Sequence, residues 1–230
     1  MSPLLLRLTQ SLRESIGDVA FGMSDGAVSV AGLVFGVAAS TGNVHIVLLA
    51  GATGAVAGAV SMMAGTYLDA QSRDHRADAV LGHAERRLAD DPEPFLRRAQ
   101  ERLRGQGYEP DESAMVLGVL RRDARALREH VVAYEVGIGN ERGAAPWTHA
   151  VWMFVADILA ASVPVLPFAL FDMDMARLVS LIITGALMAA LGYARGRIGH
   201  VNVLWTMAQT MTIAGAAALA GVAIGHFVSL

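Results

Sequence analysis

The sequence predicts an all-α membrane protein with five transmembrane helices and a three-helix cytoplasmic insertion between the second and third spans. Hydrophobic residues occupy 54% of the 230 positions and charged residues only 17%, against about 25% in an average soluble domain. The charge is also localised, because residues 71–146 hold 27 of the 39 charged side chains. We therefore divide the chain into residues 1–70 with transmembrane helices 1–2, a cytoplasmic helical domain at 71–146, and residues 147–230 with transmembrane helices 3–5. The lack of Cys excludes a disulfide scaffold and a thiolate metal site.

Five stretches are apolar over the roughly 20 residues that a membrane-spanning helix needs. They are residues 19–39, 44–68, 147–171, 176–193 and 203–228. With the N-terminus inside, the cytoplasmic segments carry 17 of the 18 Arg residues, and Arg177 is the one on the outer side. The positive-inside rule then places the N-terminus and residues 71–146 in the cytoplasm and the C-terminus outside. We expect an integral protein of a bacterial inner membrane.

Glycine pairs at positions i and i+4 recur in the spans. They are Gly22/Gly26, Gly32/Gly36, Gly54/Gly58, Gly192/Gly196 and Gly221/Gly225. Such pairs let helix backbones approach closely in lipid. They suit tight packing inside one chain, or a dimer interface in addition. Because five helices make a thin bundle for a transport path, we expect a homodimer.

The polar insertion is expected to form three helices. The first continues the second span over residues 69–90, the second covers residues 94–104, and the third runs from Pro110 to Gly137 or Gly139. An insertion of this size is small for an independent enzyme. The chain also has no Walker loop, dinucleotide fingerprint, nucleophile elbow or zinc-protease helix. We therefore expect a protein that is not an enzyme, with no cofactor and no nucleic-acid partner.

Three acidic residues lie in the spans or at the start of one, where an ionisable side chain is a functional candidate because its burial in lipid is unfavourable. Asp18 and Asp25 are seven residues apart and therefore share one face of the first span. Asp18 is either a solvated residue at the inner mouth or part of a path, whereas Asp25 lies deeper and is the leading pathway candidate. Asp157 should face the bundle or a partner helix, for transport or for structural hydrogen bonding.

Methionines accompany these acids in the first two spans. Met62 and Met63 lie in the second span and Met23 in the first, and we assign all three to the same pathway. Thioether sulfur prefers softer transition metals over Mg²⁺ or Ca²⁺, which suggests a mixed oxygen and sulfur path for Fe²⁺ or Mn²⁺. Methionines also fill hydrophobic cores. In the insertion, His75 and His83 lie on roughly one helix face and form either a weak metal site or a solvated surface.

Three motifs resemble those of the vacuolar iron transporter family. Residues 18–26 (DVAFGMSDG), followed by Gly32 and Gly36, resemble its first-span motif, and residues 57–68 (AGAVSMMAGTYL) resemble its second-span motif. Residues 164–168 (PVLPF) are similar to its third-span Pro-x-x-Pro motif. The five-span topology and the helical insertion after the second span also resemble the family, over essentially the whole chain.

The resemblance implies a dimeric exporter that moves Fe²⁺, and often Mn²⁺, out of the cytoplasm in exchange for protons. In that family the first-span Asp and the second-span Met line a path at the dimer interface. Carried over by motif position, these are Asp25 and Met62, with Asp18 nearer the cytoplasmic mouth. The partners implied are a second copy of the chain, the lipid bilayer and the transported divalent ion.

The sequence departs from the family pattern at acidic positions. The family usually has Glu where Thr66 stands, and often another where Gly54 aligns, and its insertion is rich in Glu where this one is rich in Arg. Our candidate metal residues are Asp25, Met62, Glu135, Asp123, His75 and His83. Asp157 lies outside the family pattern and is a candidate to replace a lost carboxylate from a neighbouring helix.

Two functions remain open from the sequence. The first is the export of Fe²⁺ or Mn²⁺ by proton antiport. The second is a membrane protein of the same fold that has lost iron transport. It would carry another substrate, or act as a structural or regulatory partner through its Arg-rich domain, which suits anionic lipid headgroups. The response of the purified protein to divalent metals discriminates between the two.

Overall fold

The computed structural model describes residues 9–12, 15–123, 125, 127, 129 and 145–228. Throughout these ranges the regular structure is helical and no strand forms. We number the helices α1 Ile16–Ser40, α2 Val44–Asp90, α3 Glu93–Gly105, α4 Pro110–Arg122, α5 Pro146–Val165, α6 Pro167–Leu170, α7 Met173–Ile198 and α8 Val203–Val228. Five of them, namely α1, α2, α5, α7 and α8, are long and apolar enough to cross a membrane. The expected all-α class with five spans is therefore confirmed.

The chain divides into two compact units. One contains Met1–Ala70 and Ala144–Leu230, and the other contains Gln71–Gly143. Helix α2 contributes residues to both, because it continues without a break over 47 residues. At 1.5 Å per residue it is about 70 Å long, more than twice the roughly 30 Å of the hydrocarbon core of a bilayer. Only the apolar first part of α2 can therefore lie in lipid.

Helix α1 is central to the first unit and packs most extensively against α5 and α8. Its contact with α8 is formed by glycines, because the carbonyl oxygens of Gly32 and Gly36 lie where Cβ atoms on Gly221 and Gly225 would be. The backbones of α1 and α8 are therefore in direct contact, which small residues permit between helices in lipid. Two further pairs pack in the same manner, Gly22/Gly26 against α5 and Gly192/Gly196 against α8. Four of the five glycine pairs are therefore used inside one chain.

The third span is shorter than expected. Helix α5 ends and the four-residue α6 follows, where the sequence predicted one helix to residue 171. Pro167 has no N–H to donate to the carbonyl four residues earlier, and its ring opposes a continuing helix. Near this break, the Ser180 hydroxyl of α7 donates to the Pro164 carbonyl at 2.8 Å. The fourth span is longer than expected and covers Met173–Ile198 instead of 176–193.

The second unit contains the polar part of α2 together with α3 and α4. Its small core consists of Phe95, Leu96, Leu120 and Leu127, with Ala84, Leu88, Val116 and Leu117 packed against it. Helix α3 begins just after Pro92 and ends at Gly105, and Gly107 beyond it has a φ of +97°. A residue with a side chain rarely adopts that backbone conformation, so the glycine permits the turn into α4.

Helix α4 is also shorter than expected. It ends at Arg122, whereas the sequence predicted a helix that continues to Gly137 or Gly139, which lie outside the described residues. Asp123 has an extended backbone, and its Oδ1 accepts a hydrogen bond from the backbone N–H of Arg125 at 2.8 Å. A side-chain acceptor in this position caps the start of a new helical turn. The uninterrupted third helix of the prediction is therefore wrong at Asp123.

Candidate functional site

Asp25 of α1 lines a cavity of about 420 Å³ between α1, α7 and α8. The residues of α1 that line it extend from Gly17 to Val28, so the cavity reaches from the start of the helix past the carboxylate. Arg195 of α7 and Thr210 of α8 line the other side. The Thr210 hydroxyl donates to a backbone carbonyl of α7 at 3.1 Å. The charged groups of the lining are therefore one carboxylate, which attracts a cation, and one guanidinium, which opposes it.

Asp157 lies on the inner face of α5, and only 2% of its surface is exposed. Its Oδ1 has no hydrogen-bond partner among the described residues. Gly26 of α1 packs directly against it, since a Cβ there would lie 2.5 Å from the Asp157 carbonyl oxygen and 2.8 Å from Oδ1. Met153, one turn earlier on α5, lies against Gly22 in the same way. Asp157 therefore faces the bundle, where the backbones of α1 and α5 are in close contact.

The second span presents Gly58 to the same carboxylate. A Cβ at Gly58 would lie 4.0 Å from Asp157 Oδ2, which is ordinary van der Waals contact. Met62 follows one helical turn later and is on the same face of α2. Both Met62 and Met63 are half-buried. The structure thus brings Asp157 to the Gly58–Met62 face of α2, while Asp25 lines a cavity on another side of α1.

Met23 packs against hydrophobic residues of the bundle. It contacts a buried cluster formed by Ala27, Ala160, Met188 and Leu191. The cavity beside it is lined by Ser24 and Asp25. Met23 therefore packs against the core, and its assignment to the pathway stays a prediction.

Asp18 is paired at the start of the first span. Its Oδ2 lies 2.6 Å from Nδ1 of His149, at the start of α5, and the Ser15 hydroxyl oxygen lies 3.3 Å from the same nitrogen. The side chains of Asp18 and His149 are 26% and 17% exposed. Asp18 thus links α1 to α5, a role beyond the two that the sequence left open. Sequence reasoning gave His149 no role, because nothing in a sequence pairs two residues 131 positions apart.

The described insertion residues among the proposed metal ligands do not form a metal-binding group of three. Asp123 caps the turn that contains Arg125, and Glu135 lies outside the described residues. His75 and His83 are exposed on α2. Within the part of the chain that the structure describes, no group of three His, Asp or Glu side chains is positioned to hold a metal ion.

His83 instead lines a basic pocket of about 420 Å³ in the second unit. Its lining consists of Val80, His83, Ala84 and Arg87 from α2, and Phe95, Arg98 and Arg102 from α3. The guanidinium carbons of Arg87 and Arg98 lie 5.8 Å and 4.9 Å from the centre of the Phe95 ring, within the range of a cation–π interaction. Because the lining residues include three arginines and no acid, this pocket favours an anion over a metal cation.

Comparison with known proteins supports the resemblance. The sequence model of the VIT family matches residues 16–226. Vacuolar iron transporter 1 of Arabidopsis thaliana is 27% identical over 216 residues, which cover 94% of this chain and 86% of that protein. The vacuolar iron transporter of Centaurea cyanus is 26% identical, over 90% of this chain and 85% of its own length. Because the family match includes all five spans and the segment between them, this integral membrane protein belongs to the VIT family.

Proposed function

We propose that this protein exports divalent metal ions, Fe²⁺ and Mn²⁺, from the cytoplasm in exchange for protons. Membership of the VIT family and the names of its relatives support metal transport across a membrane. The structural observation that carries the proposal is the presence of two carboxylates, Asp25 and Asp157, well inside adjacent apolar helices. Carboxylate oxygens suit Mn²⁺ and Fe²⁺, and a thioether such as that of Met62 adds affinity for the softer metals.

A homodimer is part of the proposal, because one copy supplies few ligands. Within the described residues, no three acidic or His side chains meet. A second copy related by two-fold symmetry would double every ligand at the interface. Helix α2 is the proposed contact, since most of its apolar part is not buried within one chain, and Gly54 has only the Leu33 side chain close to it. Helix α8 is also largely exposed but carries none of the candidate ligands.

Proton exchange follows from the same carboxylates. A metal ion binds the deprotonated form of a ligand, so metal binding releases protons and protonation releases the metal. The direction of transport rests on the distribution of Arg, with 17 of 18 in segments assigned to the cytoplasm. On this orientation the cavity beside Asp25 begins near the cytoplasmic end of α1.

The test is metal uptake by proteoliposomes that are acidic inside. The wild-type protein should take up Mn²⁺ and Fe²⁺, and the lumen should become less acidic as the metal enters. Asp25→Ala should abolish uptake. Asp174→Ala is the matched control, because this carboxylate is 99% exposed at the start of α7, and it should transport normally. A folded wild-type protein that moves neither metal would refute the proposal.

The dimer is tested separately by the mass of the purified protein in detergent. A mass of two chains is expected. A monomer that transports at the wild-type rate after reconstitution at one chain per liposome would exclude a path at a dimer interface.

The basic pocket of the second unit favours the second function that the sequence left open, a regulatory or structural partner of anionic lipid. In that case phosphatidylglycerol should raise the unfolding temperature of the purified protein, and phosphatidylcholine should not. Arg87→Ala should remove this effect, while Arg97→Ala, outside the basic pocket, should retain it. A lipid response without any metal uptake would favour this second function over transport.

A further inference from the structure

Asp157 is not explained by packing alone. It is 2% exposed, and its Oδ1 has no hydrogen-bond partner in the described part of the chain. A buried polar group without a partner is unfavourable, and an ionisable group inside the membrane marks a functional site by default. An asparagine or a small residue would avoid the buried charge. A bound partner would therefore stabilise this carboxylate beyond what the described residues provide at Oδ1.

We infer that Asp157 is a cation ligand, contributed by the third span to the face of α2 that carries Gly58 and Met62. This inference rests on the proposed transport of divalent cations. The apolar part of α2 has no Asp or Glu between Val44 and Leu68. Any carboxylate beside this face must therefore come from another helix, and Asp157 Oδ2 approaches it at Gly58.

The glycines around Asp157 determine from which side a cation can approach. On the α1 side, a Cβ at Gly26 would lie 2.8 Å from Oδ1, so the backbone of α1 already closes that side. On the α2 side, a Cβ at Gly58 would still be 4.0 Å from Oδ2. The carboxylate is thus closed towards α1 on its Oδ1 side, and it is packed less tightly towards α2 on its Oδ2 side. A small separation of α2 from α5 would expose Oδ2 to a cation without disturbing the α1–α5 contact.

The chemistry of this position suits a divalent transition-metal ion. Asp157 supplies carboxylate oxygen, and Met62 supplies a thioether one turn beyond Gly58. Asp25 lines the cavity on another side of α1, so Asp157 is the carboxylate that this position supplies. In a surrounding of low dielectric constant, a carboxylate attracts a divalent cation much more strongly than it does in water.

The alternative is that Asp157 is a neutral acid that only fills space between the helices. Asp157→Asn separates the two roles, because asparagine has nearly the same shape but lacks the charge. The matched control is Thr184→Val in α7. Thr184 is 4% exposed, and its Oγ1 likewise has no hydrogen-bond partner among the described residues, so this substitution changes an unsatisfied buried polar group without removing a charge.

The first measurement is Mn²⁺ uptake by proteoliposomes. Asp157→Asn should lower uptake by at least about tenfold, the scale on which the loss of even an outer-sphere partner affects a metal site. Thr184→Val should retain wild-type uptake. Wild-type uptake in Asp157→Asn would overturn the inference while leaving the proposed transport intact.

A relocation variant tests the position of the charge. Asp157→Ala combined with Gly58→Asp moves the carboxylate from α5 to α2, into the space that the two residues share. This double variant should recover part of the uptake that Asp157→Ala loses. A double variant as inactive as Asp157→Ala, although folded and dimeric, would count against a ligand role at this position.

Binding of Mn²⁺ to the purified protein, measured by electron paramagnetic resonance, separates this inference from the proposed function. If the wild-type protein binds Mn²⁺ but does not transport it, the proposed transport fails. The inference then stands if Asp157→Asn weakens binding by about tenfold or more, and it fails if the affinity is unchanged. A wild-type protein that neither binds nor transports Mn²⁺ would overturn both.

Discussion

The close contact between the first and fifth spans makes Gly221→Ala a direct test of the bundle. In the structure, the carbonyl oxygen of Gly32 lies where the new Cβ would be. That oxygen belongs to a helix backbone and cannot rotate away as a side chain can. Helix α8 must therefore move away from α1, and this movement would also open the contact between Gly36 and Gly225 one turn later.

Two effects determine how much Gly221→Ala should change the free energy of unfolding. Forcing an extra methyl group into a tightly packed interface costs about 1–3 kcal/mol. Replacing glycine by alanine inside a helix contributes about 1 kcal/mol in the opposite direction. Gly215→Ala on the same helix has only the favourable effect of replacing glycine by alanine, since a Cβ there has no atom within 4 Å. The two variants should therefore differ by about 1–3 kcal/mol, or about 2–12 °C in unfolding temperature for a chain of this size.

The assay is thermal unfolding of both variants and the wild-type protein in the same detergent. Samples heated to a series of temperatures are passed over a size-exclusion column, and the remaining folded peak is measured by tryptophan fluorescence. Gly215→Ala should match or exceed the wild-type protein, and Gly221→Ala should unfold at a lower temperature. Equal unfolding temperatures for the two variants would refute the backbone contact between α1 and α8.

Two further predictions concern hydrogen bonds between spans. Asp18→Asn and His149→Gln should each lower the stability of the protein, because the two side chains bind each other. A double-mutant cycle measured by thermal unfolding should give a coupling energy of about 0.5–3 kcal/mol between them. Strictly additive losses of stability would contradict this pair. Ser180→Ala should destabilise by about 1–3 kcal/mol, because it leaves the buried Pro164 carbonyl without the hydroxyl that donates to it. An unchanged unfolding temperature in Ser180→Ala would mean that this carbonyl has another partner.

The spans could be predicted from sequence because the lipid imposes both a length and a composition on them. The long polar continuation of α2 was also predictable, because no proline lies between Val44 and Pro92. The end of α5 was missed because the residues after Pro167 remain apolar, and hydrophobicity outweighed the backbone restriction of proline. The interruption at Asp123 was missed because a side-chain cap competes locally with a helix whose apolar pattern continues.

The sequence predicted individual residues of the candidate site but not how they are arranged. A carboxylate in an apolar segment is visible in any sequence, and Asp25 and Asp157 were found in this way. Their surroundings depend on the depth and rotation of each helix, which a single sequence does not specify. The approach of Gly58 to Asp157 and the pairing of Asp18 with His149 therefore required the structure. The glycine spacing likewise showed that helices pack closely, but not which helix each pair meets.

The contact between α1 and α8 also constrains how the protein is made. Helix α1 is synthesised first of the five spans and α8 last. At about 5–20 residues per second, the chain from Ser40 to Val228 takes roughly ten to forty seconds to emerge from the ribosome. During that interval the glycine face of α1 has lipid or the insertion machinery for a neighbour. A ribosome that stalls before α8 would thus release a membrane protein with its central helix uncovered, which a quality-control protease could recognise.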